Sequence, residues 1–189
     1  NTSASKKSGD KSHFFSNFVS SFKGKNNSEN IFKLKTQYTS NDKYLKLYRI
    51  KSALGDYNQD LLESTIDFSH DSDDIFLSAN TTIYENLKDS YNDKYEYIFP
   101  SYEFSKRLKS SYNGNYEIIS KGNYKNYNTN IFEKVLINDL KFSSNPKITP
   151  SGLVNKFNLL LKNVTSEGDN SSNYKNKFSS ENYSSFFYD

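Results

Sequence analysis

The sequence predicts an α+β fold, a mainly antiparallel sheet with helices packed on one face, as a single domain with flexible termini. Three patterns predict it. Residues 31–50 alternate in polarity around the turn-forming quartet Thr39-Ser-Asn-Asp42. Thr82 followed by Glu85 has the form of a helix capping box. Thr149-Pro150 reads as an N-cap with proline at the first helical position, and Leu153, Phe157, Leu160, Leu161 and Val164 follow as a helical stripe.

Residues 1–30 read as a basic flexible arm, because Ser, Asn, Lys and Gly fill most of it. Within it, Phe14, Phe15, Phe18 and Phe22 would share one face if the stretch from Ser12 to Ser21 were a short helix. Residues 31–165 are then the α+β domain. Ile31–Tyr38 and Lys43–Ile50 form the expected hairpin. Residues 60–68 fit a strand or a short helix, 69–74 an acidic loop, and Ile75–Ala79 a short strand. Helices are predicted near 82–96, limited by Pro100, and near 101–112, carrying Phe104, Leu108 and Tyr112. Asn113-Gly114 ends that helix or turns a hairpin into a strand at Tyr116–Ile119, and 121–130 reads as loop. Residues 131–142 have both helical and strand character, with β-branched Val135 and Ile137 tipping the balance to strand. The third helix spans 149–165, and 166–189 is a flexible Ser/Asn-rich tail.

Composition excludes several classes of chemistry. The chain of 189 residues has no Cys and two His, so it has neither disulfide scaffold, Cys-based zinc site nor thiol nucleophile. Its 16 Tyr and 15 Phe must supply much of any core, with phenol hydroxyls reaching water or a partner. No apolar run approaches the length of a transmembrane helix. The net charge of +3 is uneven, basic in the first 35 residues and acidic through residue 110. Arg occurs only at Arg49 and Arg107, which argues against a specific nucleic-acid reader. The missing initiator Met points to a fragment or a processed product.

The search for a catalytic site is mostly negative. The sequence contains no phosphate-binding glycine loop, Gly-x-Ser-x-Gly elbow or His-Glu-x-x-His motif. His70 stands beside Asp71 in a polar stretch and reads as a loop residue. Asp67, Asp71, Asp73 and Asp74 are the one metal candidate, suited to Ca²⁺ or Mg²⁺, but they lack the Gly and distal Glu of an EF-hand loop. They read as a solvated acidic turn, and no cofactor is expected. The sequence therefore predicts a non-catalytic protein-interaction domain, an adaptor or scaffold, using Phe14, Phe15, Phe18, Phe22, Tyr91, Tyr95 and Tyr102. The expected partner is another protein, with peripheral membrane contact through the basic aromatic arm as a second mode and the cytoplasm as compartment. The alternatives are a secreted or cell-surface attachment protein and a carboxylate-dependent metal hydrolase.

Overall fold

The computed structural model describes residues 1–7, 11–25, 27–89, 93–110, 113–127 and 130–188, with backbone alone at Lys109 and Ser110. The strands are β1 (Thr2–Lys7), β2 (Lys11–Lys23) and β3 (Glu29–Thr39), followed by an excursion. That excursion holds helix α1 (Tyr44–Leu47) and the short pair β4 (Lys51–Ser52) and β5 (Gly55–Asp56). Next come β6 (Leu61–Asp71), β7 (Ile75–Asn86), β8 (Tyr95–Ser110), β9 (Gly114–Tyr127) and β10 (Ile131–Ser144). A second excursion carries β11 (Lys147–Ile148) and β12 (Val154–Asn155), and β13 (Phe157–Asp169) and β14 (Ser179–Tyr188) complete the chain.

Ten of these strands make one sheet in the order β1-β2-β3-β6-β7-β8-β9-β10-β13-β14, every neighbour antiparallel. The α+β expectation is thereby corrected: the chain is nearly all antiparallel sheet, and α1 is the only helix among the described residues. The predicted helices near 82–96 and 101–112 fall on β7 and β8, apart from residues 87–89 and 93–94 between those strands and residues 90–92, 111 and 112, which lie outside the described residues, and the one at 149–165 falls on the β11–β12 turn, β12 and β13. The phenylalanine stretch expected to turn helical is β2. In each case apolar residues four apart were the helical signal, but four is an even number and keeps residues on one face of a strand as well. Poor helix formers between them, Ser, Asn, Thr and Tyr, weaken the helical alternative, and Thr and Tyr favour the strand.

Two start signals prove to be turn and strand chemistry. Thr82 is buried within β7 and donates its hydroxyl to Asn80 Oδ1 at 2.9 Å. Thr149 Oγ1 accepts the Leu153 amide at 3.1 Å, one residue beyond those a helix N-cap serves, and Gly152 at φ +84° bends the chain back into β12. Pro100 sits where β8 has one residue too many between Ile98 and Ser101, opposite shifts in both neighbouring strands. A residue without an N–H is at home in such a bulge. The predicted 31–50 hairpin keeps its first strand in β3 and loses its second to α1.

That loss builds the core. β3 and β6 pair from Glu29–Asp71 to Lys35–Thr65 and then part. Ser64 Oγ bridges the Gln37 amide (3.0 Å) and carbonyl (3.2 Å), while Gln37 Oε1 accepts the Glu63 amide (2.9 Å), replacing the lost ladder bonds. The excursion packs here: Tyr44 and Leu45 from α1 are buried with Phe15 and Leu62, flanked by Tyr48, Ile50, Leu54, Tyr57 and Leu87. Elsewhere the sheet is a single layer, held by its ladder and by cross-strand side-chain pairs worth about 0.2–1 kcal/mol each.

Candidate functional site

The register sorts side chains onto two unlike faces. One face carries the charge, because Lys and Glu or Asp stand opposite each other on neighbouring strands. Lys121 meets Glu103 at 2.7 Å, Lys125 meets Glu96 at 2.8 Å, and Lys162 meets Asp139 at 3.5 Å. Lys35 pairs with Glu63, and Asn80 donates to Asp67 on the same side. Exposed pairs of this kind add little stability. The other face carries fewer charges, among them Lys106 opposite Ile118, Glu85 opposite Tyr95, and Lys134 opposite Glu167.

That other face is apolar. Its side chains still 37–65% exposed are Phe14, Phe18 and Phe22 on β2, Tyr38 on β3 and Ile66 on β6. Tyr95, Phe99 and Leu108 on β8, Ile118 and Tyr124 on β9, and Leu140 on β10 continue it. Phe157, Leu159 and Leu161 on β13 and Phe186 and Tyr188 on β14 complete it. The charged face exposes Val19, Leu61, Tyr183 and Phe187 among the large apolar residues of its strands. Rings run across the strands of the apolar face in contact: Tyr116 to Phe142 at 4.7 Å, Phe142 to Phe157 at 5.7 Å, and Phe157 to Phe186 at 6.2 Å. Tyr102 lies over Gly122, where a Cβ would come within 2.6 Å of its ring.

A row of small polar residues, Ser120, Asn138, Asn163 and Asn182, crosses β9, β10, β13 and β14 within this face. Ser120 Oγ donates to Asn138 Oδ1 at 2.8 Å, and Asn163 Nδ2 donates to Asn182 Oδ1 at 2.9 Å. Beside the row a shallow groove of about 540 Å³ is lined by Ile118, Leu140, Leu161 and the three asparagines.

The sequence-predicted interaction residues divide. Phe14, Phe18 and Phe22 point to the apolar face, but Phe15 points to the opposite side and is wholly buried. A helix would have grouped the four rings, whereas strand alternation separates adjacent positions. Tyr95 and Tyr102 lie on the apolar face, their hydroxyls meeting Glu85 Oε1 at 3.3 Å and Ser120 Oγ at 3.2 Å. Tyr91 lies outside the described residues. The residues that sequence reasoning missed, Ile118, Leu140, Phe157, Leu159, Leu161 and Phe186, are betrayed by spacing of two, as in Phe157-x-Leu159-x-Leu161.

The titratable groups act on structure. Glu133 accepts from Ser171 (2.6 Å), Asn173 (3.0 Å) and Tyr127 (3.1 Å), and these bonds hold its carboxyl below the usual range against the opposing effect of burial. Burial would lower Lys94, but its contacts with Asp42 (2.6 Å) and Glu85 (2.9 Å) outweigh that and raise it. His13, between Ser3 and Ser5, is pushed down by burial. His70 Nδ1 contacts Asn30 Oδ1 at 2.8 Å. Of the acidic stretch, Asp67 and Asp71 belong to β6 and Asp73 and Asp74 to the turn after it. Among the described residues no three His, Cys, Asp or Glu side chains converge as metal ligands, and no helix is long and apolar enough to cross a membrane. Comparison with known proteins finds no family model and no curated sequence that matches the chain.

Proposed function

We propose that this protein is a non-catalytic interaction module whose working surface is the apolar face of the sheet. One observation carries the reading: large apolar side chains from β2 through β14 stay more than a third exposed on the face opposite the cross-strand pairs Lys121–Glu103, Lys125–Glu96 and Lys162–Asp139. Apolar surface gathered on one face on that scale marks a contact surface. Aromatic residues dominate it, and rigid rings lose little entropy when they are covered. Phe14, Phe18, Phe22 and Tyr95 belong to this surface, Tyr102 lies half-buried on the same face, and Phe15 does not.

Photo-crosslinking in the producing cell tests the reading. A benzoylphenylalanine at Leu140 or Ile66 is expected to yield adducts, and one at Lys121 or Ser78 on the charged face is not. Equal yields from both faces, or none from the apolar one, would remove the basis for the proposal.

A further inference from the structure

We infer that the apolar face is covered by a second copy of this chain, the two sheets stacking face to face into a β-sandwich. The inference rests on the apolar face being the working surface and names its occupant.

Area is the first argument. The sixteen exposed apolar side chains named above would each offer about 150–250 Å² if fully open, so at their observed exposures they present roughly 1,400 Å². A stable protein–protein interface needs about 800 Å² from each partner. Twist keeps the corners of two stacked sheets apart, yet covering a little over half of this surface reaches that threshold.

Shape and symmetry are the second. Two like sheets pack with strands within about 30° and about 10 Å apart, the side chains of each inner face filling the gaps of the other. The groove lined by Ile118, Leu140 and Leu161 is such a gap, and the exposed rings of Phe157 and Phe186 on the same face are the matching projections. A two-fold arrangement lets each copy offer both.

Chemistry decides between a second copy and a lipid surface. The row Ser120, Asn138, Asn163 and Asn182 runs through the apolar face, and each amide can make up to about four hydrogen bonds. Hydrocarbon supplies none of them, whereas the same row on a facing sheet presents donors and acceptors alike. Lys6, Lys106 and Lys134 on this face are balanced by Glu85, Glu167 and Asp169, so its charges do not add up to attraction for anionic headgroups.

The test uses the purified full chain in sedimentation velocity over a range of micromolar concentrations. A species of twice the 21.9 kDa chain mass is expected. Leu140→Lys and, on the outermost strand, Phe186→Lys should weaken it at least about 100-fold while far-UV circular dichroism stays that of the parent. Benzoylphenylalanine at Leu140 should give a crosslinked pair and at Lys121 none, a readout that needs no destabilising variant. A chain that stays monomeric throughout, a pair indifferent to both lysines, or co-flotation of the monomer with phosphatidylcholine vesicles would overturn the second copy. A monomer that still forms face-specific adducts in cells overturns only the second copy, whereas absence of adducts from this face in both settings overturns the interaction surface as well.

Discussion

Phe15 and Phe18 are three residues apart on β2, and replacing each by alanine should separate core from surface. Phe15 is 0% exposed within the cluster of Tyr44, Leu45 and Leu62, so Phe15→Ala removes a whole buried ring and leaves a cavity. The expected cost is about 3–5 kcal/mol. Phe18 keeps 51% of its surface open and contacts Phe32 at 6.3 Å between ring centres, so Phe18→Ala should cost about 1 kcal/mol or less. A second substitution tests the packing directly. A Cβ on Gly55 would come within 2.5 Å of Phe15 Cε2, so Gly55→Ala overpacks the site by about 1–3 kcal/mol. In a Phe15→Leu background the same change should cost clearly less, so that the double variant is less destabilised than the sum of the two single ones. The assay is equilibrium urea unfolding followed by far-UV circular dichroism at matched protein concentration. A Phe15→Ala cost below about 1 kcal/mol, or strict additivity with Gly55→Ala, would refute the placement of this ring in the core.

Two further outcomes follow from single sites. Glu133 is held below its ordinary value, so the stability it contributes is present above the usual carboxylate pKa and is lost as pH falls through the lower folded value. Glu133→Gln should therefore cost about 1–3 kcal/mol at neutral pH, shrink the acid dependence of unfolding, and speed amide exchange around Ser171–Lys175; unchanged acid dependence would contradict this role. Deleting Pro100 removes the surplus residue of the β8 bulge and leaves Tyr97, Phe99, Tyr102 and Phe104 on the face they already occupy. Thermal stability should stay near that of the parent, while deleting Glu103 should collapse it by inverting the strand beyond that point.

The sheet explains how a chain so rich in Ser and Asn can fold. Polar residues on alternate positions satisfy one another across strands, as Asn80 does with Asp67 and Tyr127 with Glu133. The apolar remainder is thereby concentrated on one side. The excursion between β3 and β6 closes the place where those two strands part, and there the chain buries the fully enclosed side chains of its described residues.

Several elements were legible from residue order. The strands at Ile31–Tyr38, Ile75–Ala79, Tyr116–Ile119 and 131–142 show β-branched or alternating character, and all lie within β3, β7, β9 and β10. Asn113-Gly114 carries its own turn chemistry, Asn113 adopting φ 49° between β8 and β9. Absence of Cys, scarcity of His and abundance of rings settle which side-chain chemistry the molecule can draw on. Residues four apart, such as Phe14, Phe18 and Phe22, satisfy helix and strand alike, so local spacing could not choose between them. Pairing with β1 and β3 chooses, and with that choice Phe15 turns to the core while Phe14 and Phe18 turn away from it. Likewise Lys43–Ile50 alternates like a strand, and only the gap between β3 and β6, filled by Tyr44 and Leu45, makes it a helical plug. Side-chain type is a local property that the sequence states outright; which face a side chain joins depends on partners distant in the chain, and only the assembled sheet supplies them.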